Sequence, residues 1–234
     1  MSALKKILAC CLLFFLTAAG KTQESKPTLV YIFDPLCGWC YSFDLVMEQI
    51  HQKYTSQLNF VVIPGGMVTG KRVKPVGEVS ETLLEHMSHL EHATGAKFGE
   101  PYKKMLEEGK EVWDSERPSW AVNAFKTLDV EDEFTYAYAL QKALFLNGHS
   151  LNQDSTYQKL AQQFGIEPTK FRELMYSDST KSMTSKGFAQ VESIGVQGFP
   201  TVLIQKDGKT AVVTEGFEKF EKLDKKIEKA LKGM

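Results

Sequence analysis

Two cysteines three positions apart are the residues of this sequence with the clearest capacity for chemistry. Cys37 and Cys40 enclose Gly38 and Trp39 in the order Cys-Gly-Trp-Cys. On the first turn of a helix, cysteines at this spacing lie about 5–6 Å apart, within the range that a disulfide tolerates. A disulfide between them would close almost no loop and would add little stability through chain entropy. The spacing therefore indicates that the role of the pair is chemical, and half of a zinc site or a purely structural short disulfide are the alternatives.

The segments around the pair predict a strand that leads into a helix. Residues 28–33 form a run of β-branched and aromatic side chains, which is typical of a buried strand. Cys37 then falls at the helix N-terminus, where free N–H groups and the helix dipole favour a thiolate. We expect Cys37 to be the exposed nucleophile and Cys40 the shielded resolving thiol. Cys40 begins the apolar stripe of that helix, which continues with Phe43, Met47, Ile50 and Tyr54.

The rest of the chain predicts an α/β fold with a large helical block in its middle. Residues 58–64 form a second apolar strand, which closes a β-α-β unit and should lie parallel to the first. At the end, Asp207-Gly208 predicts a hairpin between strands at 201–205 and 210–214, followed by a helix. Between residues 79 and 194 we expect helices and no strand. The helical segments are 79–93, 98–110, 118–128, 131–146, 153–164, 168–177 and 181–194.

A proline at the entrance of a strand is the second candidate for chemistry. Phe199, Pro200 and Thr201 directly precede the apolar run of the third strand. An X-Pro bond in this position is a candidate for the cis form. Proline has no N–H to donate, so the backbone before it is free to pair with an extended substrate.

These two motifs together resemble the DsbA-like branch of the thioredoxin superfamily. The matching stretches are Tyr-Ile-Phe-Asp-Pro-Leu-Cys-Gly-Trp-Cys-Tyr at 31–41 and Val-Gln-Gly-Phe-Pro-Thr at 196–201. The first is particularly similar to a subgroup of predicted disulfide isomerases. The resemblance implies a thioredoxin domain formed by 27–66 and 195–234, with an all-helical insertion at 67–194.

The resemblance also implies roles for the residues of both motifs. Cys37 would be the nucleophile and Cys40 the resolving thiol, with Pro200 as a cis-proline that faces them. Phe199 and Thr201 would belong to the substrate loop. The redox-active disulfide would serve in place of a cofactor.

The sequence departs from the pattern of the family in two respects. Many relatives carry a buried acid in the first strand that moves protons to the second thiol, whereas this chain has Tyr31 there. A different group or water would have to serve. Strongly oxidising members have a histidine between the cysteines, where this chain has Gly38 and Trp39. The residues between the cysteines tune the redox potential, so oxidising strength does not follow from the resemblance.

The first 20 residues predict a secretory signal peptide. Two lysines precede an unbroken apolar run at 7–16, and small residues follow at 17–20. The run is shorter than the roughly 20 residues that a membrane-spanning helix needs. Cleavage is expected near Ala19 or Gly20, which would leave the mature protein in the periplasm or otherwise exported. A lipoprotein with Cys10 or Cys11 as the lipidated residue is the alternative.

Charge and cysteine content bound the expected partners. The 28 Lys and Arg side chains nearly balance the 29 Asp and Glu side chains, and no basic patch favours a nucleic acid. After signal cleavage, Cys37 and Cys40 would be the only cysteines left. We expect a monomer without stable membrane insertion. Its partners would be exported proteins that contain cysteines and a redox partner that resets the pair.

Other assignments remain open at this stage. His86, His89 and His92 form a row that would serve either as metal ligands or as a solvated helix face. Trp113 and Trp120 are expected in the helical core and not in the site. A redox-silent or metal-handling binding protein of the periplasm is the alternative from another class. A glutathione-dependent small-molecule isomerase of the same fold is a further one.

Overall fold

The computed structural model describes residues 26–128 and 133–233. The predicted signal peptide, together with Cys10 and Cys11, lies outside the described residues. The strands are β1 (Thr28–Phe33), β2 (Asn59–Pro64), β3 (Lys74–Pro75), β4 (Val112–Trp113), β5 (Thr201–Lys206) and β6 (Lys209–Glu215). The helices are α1 (Gly38–Tyr54), α2 (Ser80–Thr94), α3 (Glu100–Glu108), α4 (Glu116–Lys126), α5 (Glu133–Phe145), α6 (Asp154–Gln163), α7 (Pro168–Tyr176), α8 (Asp178–Ser193) and α9 (Phe220–Lys232).

The main sheet has four strands in the order β2-β1-β5-β6. β1 pairs with β2 in parallel and with β5 in antiparallel orientation, so the first strand lies in the middle of the sheet. β5 and β6 form the predicted hairpin, in which Asp207 and Gly208 both have positive φ angles, of 49° and 75°. Two positive φ angles are what the tightest hairpin turn requires, which explains the Asp-Gly pair. The predicted β-α-β unit and hairpin are confirmed.

Among the described residues between β2 and β5 there are seven α-helices, and they correspond to the segments expected from the sequence. The prediction that no strand occurs in this block is wrong, because β4 pairs with β3 in a short ladder that joins Trp113 to Lys74. A strand of two residues has no periodic pattern by which the sequence could reveal it. Within the described ranges, no helix has the length and apolar character to cross a membrane.

β1 is buried on both faces, and this burial determines where the site lies. Tyr31 and Phe33 point into the large core together with Phe43 and Met47 of α1. The alternate residues of β1 join a smaller cluster on the opposite face, which Val191 of α8 completes. The turn from β1 into α1 is thereby fixed at the carboxyl end of a central strand. The fold is the expected thioredoxin arrangement with helices inserted, while the proposed unit boundaries at 66/67 and 194/195 stay a prediction.

Candidate active site

Cys37 is the N-cap residue of α1. β1 ends at Phe33, and the turn that follows is closed by the Cys37 N–H, which donates to the Asp34 carbonyl at 3.0 Å. The Cys37 sulfur accepts the N–H of Cys40 at 3.3 Å, as the side-chain oxygen of an ordinary capping residue does. The predicted position of Cys37 at the helix N-terminus is confirmed. Negative charge on a sulfur in this position is stabilised by the N–H group and by the helix dipole.

The two thiols are free, and both are buried. Cys40 has no exposed surface, as expected for a shielded thiol, but only 5% of Cys37 is exposed. The expectation that Cys37 is openly exposed is therefore wrong. Part of the cover comes from the loop before β5, because the Phe199 carbonyl oxygen lies 3.7 Å from the Cys37 sulfur and accepts its S–H.

The Phe199–Pro200 peptide bond is cis, as the resemblance implied. The loop is fixed on one side by the Thr201 hydroxyl, which donates to the Gly198 carbonyl at 2.8 Å. On the other side the Phe199 ring packs against Gly65, in the space that a side chain at that position would fill. A Cβ at Gly65 would lie 2.0 Å from that ring, so only glycine permits this close approach. The loop is thus held by a hydrogen bond of its own and by packing against the segment after β2.

Gly38 and Trp39, between the cysteines, contact the helical block. A Cβ on Gly38 would lie 3.0 Å from the Leu90 side chain of α2, so the glycine allows α2 to pack closely against the turn. Trp39 is 36% exposed, and its ring lies 6.0 Å from the His89 ring and 6.2 Å from the Phe217 ring, between centroids. Trp39 therefore forms part of the exposed surface beside the cysteines.

The histidine row lies on an exposed face of α2. His86, His89 and His92 are all exposed. In the part of the chain that the structure describes, no three His, Cys, Asp or Glu side chains come together as a metal-binding group. Trp113 is buried in the core as expected, but it also lines a pocket that Cys37 borders. Trp120 is partly buried and packs against Tyr176.

Asp34 is a buried acid that the sequence motifs did not single out. Its carboxylate accepts the N–H groups of Leu36 at 3.0 Å and Met67 at 2.7 Å, and the Ser115 hydroxyl at 2.9 Å. Burial raises the pKa of Asp34 to about 6, although these hydrogen bonds lower it. The side chain joins the cysteine turn to the loop after β2 and to the residue before α4.

Asp44 is a second buried acid, and it lies one helical turn after Cys40. Only 1% of it is exposed. Its Oδ1 lies 3.3 Å from the Tyr31 hydroxyl, while its Oδ2 has no hydrogen-bond partner among the described residues. The same hydroxyl lies 3.4 Å from the Cys40 carbonyl oxygen. Burial raises the pKa values of Asp44, Tyr31 and Cys40 well above their ordinary ranges.

Asp44 is the acid that lies beside Tyr31 in this chain. Where relatives are expected to place an acid in β1, this chain has a tyrosine whose hydroxyl contacts an acid on α1. Residues four apart on a helix share a face, so Asp44 lies on the side of α1 that carries Cys40. The sequence carries only an indirect signal of this position, since Asp44 lies four residues after Cys40 and three before Met47, at the spacing of the apolar stripe of α1.

Gln141 of α5 ties the helical block to the cysteine turn. Its side-chain amide donates to the Asp34 carbonyl at 3.1 Å and to the Cys37 carbonyl at 3.3 Å. The residue is fully buried, and its Oε1 has no partner in the described part of the chain. Nothing in the local sequence indicates this role, because Gln141 is more than 100 positions from both carbonyls.

Two solved structures are similar to this chain over nearly its whole described length. A candidate protein disulfide isomerase from Nitrosomonas europaea is 28% identical with a TM-score of 0.79, and the match covers 89% of this chain and 99% of that one. The cytosolic disulfide reductase DsbM from Pseudomonas aeruginosa is 25% identical with a TM-score of 0.74, and the match covers 88% and 100%.

A curated protein is a more distant relative. The ClpXP adapter protein SpxH from Halalkalibacterium halodurans is 22% identical over 188 residues, which are 80% of this chain. The match spans 61% of the length of that relative.

The family itself is established by a match that runs from the first strand into the last helix. The model of the DSBA-like thioredoxin domain matches residues 28–228. This span includes the four-stranded sheet, the helical block and both motifs of the site. Because sequence, fold and site geometry agree over that span, the chain belongs to the DSBA-like thioredoxin domain family.

Proposed function

We propose that this protein is a thiol–disulfide oxidoreductase that exchanges disulfides with cysteine-containing proteins through Cys37 and Cys40. The observation that carries the proposal is the position of the Cys37 sulfur. It caps α1, accepts the Cys40 N–H at 3.3 Å and lies 3.7 Å from the carbonyl of Phe199. A sulfur so placed is stabilised as an attacking or leaving thiolate and lies beside backbone that can pair with a substrate strand.

The exchange needs only the two sulfurs and the cysteines of a substrate. In the oxidising direction a substrate thiolate attacks Cys37 of the Cys37–Cys40 disulfide, and Cys40 leaves with the electron pair. A second substrate thiolate then attacks the substrate sulfur of the mixed disulfide. Cys37 leaves, and the products are a substrate disulfide and a dithiol. In the isomerising or reducing direction Cys37 attacks a substrate disulfide and Cys40 resolves the mixed disulfide. Net oxidation or reduction requires a redox partner that resets the pair.

Asp44 is proposed to exchange the proton of Cys40. A fully buried thiol must lose its proton inside the protein before it can attack, and the Asp44 carboxyl lies on the same face of α1. Burial raises the pKa of Asp44, so its carboxylate is a stronger base than an ordinary one, and burial raises the pKa of Cys40 in the same direction. The Tyr31 hydroxyl holds the carboxylate toward the Cys40 turn.

The direction of the reaction is decided by the reduction potential of the pair. The structural relatives point in different directions by name, one to isomerisation and one to reduction. The test is equilibration of the protein in glutathione buffers, followed by alkylation of the free thiols. A potential of about −120 mV identifies a disulfide donor, and one of about −200 mV or lower an isomerase or reductase. If the two thiols show no reversible oxidation, the proposed function is wrong.

Export to the periplasm is a separate proposal. It is supported by the basic, apolar and small-residue segments at the start of the sequence. DsbM is a cytosolic protein by its name, so the relatives do not support export. The test is the mass of the protein recovered from fractionated cells. Export predicts a periplasmic protein that has lost about 20 residues, whereas an intact chain in the cytosol contradicts it.

A further inference from the structure

We propose that the apolar pocket beside Cys37 binds a large apolar side chain of the substrate residue adjacent to the reacting cysteine. The inference rests on the proposed function and names the substrate class for it. A phenylalanine ring is the occupant to which the pocket is best matched.

Cys37 forms part of the wall of this pocket, which lies between the start of α1 and the helical block. The other walls are mainly apolar and include Leu83, Leu90, Phe98 and Trp113. Of the described residues that line it, none is Asp, Glu, Lys or Arg, and its polar side chains include the imidazole of His86, an exposed residue of α2, and the hydroxyl of Tyr102. A carboxylate or ammonium group that entered would lose part of its hydration against walls that are mainly apolar, so the lining favours an apolar side chain.

The size of the pocket fits one large side chain. Its volume is about 170 Å³. A protein cavity of about 150 Å³ with apolar walls is known to hold a benzene molecule. A phenyl ring therefore fits, whereas an alanine methyl group would leave most of the space empty.

The covalent geometry brings the neighbouring substrate residue to the pocket. When a substrate cysteine is bonded to Cys37, the two Cα atoms lie about 4.4–6.8 Å apart. The residue next to that cysteine has its Cα about 3.8 Å further along the chain. Because Cys37 itself borders the pocket, the side chain of that residue is within reach of it.

A second groove on the other side of Met67 differs in character. Met67 lines both, but the second groove also contains Arg72, Glu116 and Gln197 and is bordered by Phe199. Charged and polar side chains of a substrate therefore have a place there. The contrast assigns the apolar side chain to the pocket at Cys37.

The test uses symmetric disulfide peptides, in which two identical short peptides are joined through one cysteine each. Cys37 attacks one sulfur, forms the mixed disulfide and releases one peptide thiol. Cys40 then attacks Cys37 and releases the second, so that one peptide disulfide is reduced and the Cys37–Cys40 pair is oxidised. Both sulfurs of the peptide disulfide are equivalent, so the site of attack is unambiguous. The rate is measured by quenching with an alkylating reagent.

Three peptides differ only beside the cysteine, with phenylalanine, alanine or aspartate placed before it in one series and after it in another. We expect the second-order rate constant for reduction of the phenylalanine peptide to exceed that for the alanine peptide by about tenfold in one series, as burial of a ring implies. Aspartate should react more slowly than alanine in that series. A phenylalanine-to-alanine ratio below about twofold in both series overturns the inference. Failure of every peptide to react would instead overturn the proposed function.

A variant that fills the pocket locates the effect. Leu83→Trp places a large aromatic ring at a half-buried position of the lining, where it should occupy the pocket. The ratio of the rate constants for the phenylalanine and alanine peptides should then fall toward one. The control is Leu84→Trp, the next residue of α2, which is also half-buried but does not line the pocket, and it should keep the ratio of the unaltered protein. Each ratio is taken within one protein preparation, so a loss of folded protein cancels. An unchanged ratio in Leu83→Trp, or the same loss in both variants, contradicts the assignment.

Discussion

The two buried acids beside the cysteines, Asp34 and Asp44, differ in how their carboxylates are satisfied. Asp34 lies in the turn before Cys37 and accepts two N–H groups and one hydroxyl. Asp44 lies one turn after Cys40, with one contact to Tyr31 and one oxygen that has no partner in the described part of the chain. Burial raises the pKa of both; three hydrogen bonds counteract that rise at Asp34, whose pKa is about 6, whereas at Asp44 only the contact with Tyr31 does so.

The difference separates a fixed carboxylate from a reactive one. Hydrogen bonds from the backbone offset much of the desolvation of Asp34, which makes it suited to hold the cysteine turn in shape. Asp44 accepts no such backbone hydrogen bonds within the described residues, so burial raises its pKa and it holds its proton tightly. Burial also raises the pKa of Cys40, which lies on the same face of α1. The same residue type at the same depth is thus expected to serve structure on one side of the pair and proton transfer on the other.

The largest expected effect separates the two cysteines themselves. Cys37→Ser should abolish exchange, because it removes the attacking sulfur. Cys40→Ser should instead accumulate mixed disulfides with substrates, since the resolving thiol is missing. Non-reducing gels distinguish the two variants. Adducts that form with Cys37→Ser and are absent with Cys40→Ser would mean that Cys40 is the nucleophile and Cys37 the resolving thiol.

The next effect concerns Asp44. Asp44→Asn should slow resolution of the mixed disulfide by Cys40 by about 100-fold to 10,000-fold near neutral pH, because it removes the proton acceptor. The rate in the unaltered protein should rise as pH increases through the raised pKa of Asp44. In Asp44→Asn that dependence should be replaced by one set by the thiol alone. The rate is measured from single-turnover decay of a mixed disulfide at a series of pH values.

Asp34→Asn is the matched control for that experiment, since it removes the other buried acid and should leave the pH profile of resolution unchanged. The folded fraction of Asp44→Asn is measured by urea denaturation, so that loss of folding is not mistaken for slow resolution. The folded-state pKa of Asp44 is raised, so its charged form destabilises the protein and a neutral amide avoids that cost. Identical pH profiles for Asp44→Asn and the unaltered protein would contradict the assignment.

The titratable groups that interact with Asp44, and whose ionisation is therefore linked to its own, are Tyr31, Cys40, Tyr41, Glu48 and Tyr138.

Asp34 should instead influence the pH dependence of stability. Its pKa in the folded protein is about 6, above the ordinary 3.8, so the folded state holds the proton more tightly than the unfolded state. The stabilisation is present at low pH and is lost as pH rises from about 4 to about 6, by about 3 kcal/mol in the free energy of unfolding. Asp34→Asn should lack this contribution.

The measurement for Asp34 is urea denaturation of both proteins at pH 4, 5, 6 and 7, with tryptophan fluorescence as the signal. The amide changes hydrogen bonding by an amount that does not depend on pH, so the prediction concerns the slope and not the offset. Parallel curves for the two proteins would mean that Asp34 does not titrate in this range.

The smallest effect is expected at Gln141. Gln141→Leu removes two hydrogen bonds to the turn, but the Asp34 and Cys37 carbonyls keep the N–H groups of Cys37 and Tyr41 as partners. It also removes an unpartnered oxygen. The free energy of unfolding should therefore fall by no more than about 1 kcal/mol. A loss above about 3 kcal/mol, measured in urea at pH 7, would show that the amide contributes more to the turn than its hydrogen bonds account for.

The part of the site that depends on local sequence could be predicted. A buried strand followed by an amphipathic helix placed Cys37 at an N-cap, and the proline before β5 marked the second half of the site. Asp44 could not be identified in the same way, because a single acid on a helix normally faces water. Its burial depends on the strands and helices that pack around α1.

The exposure of Cys37 was predicted wrongly for a related reason. The position of a residue at the start of a helix indicates that its N–H groups are free, but not which distant loop covers it. Here the carbonyl of Phe199 and the walls of the pocket come from parts of the chain far from Cys37. Contacts of that kind leave no periodic pattern in the sequence.

The separation between Cys37 and Phe199 has a consequence for the order of synthesis. The two residues are 162 positions apart. At about 5–20 residues per second, a ribosome takes roughly 8–30 s to reach Phe199 after it has added Cys37. β1 also waits for β5, its antiparallel neighbour in the middle of the sheet. During that interval the thiol pair of the nascent chain lacks the loop that covers it in the finished protein.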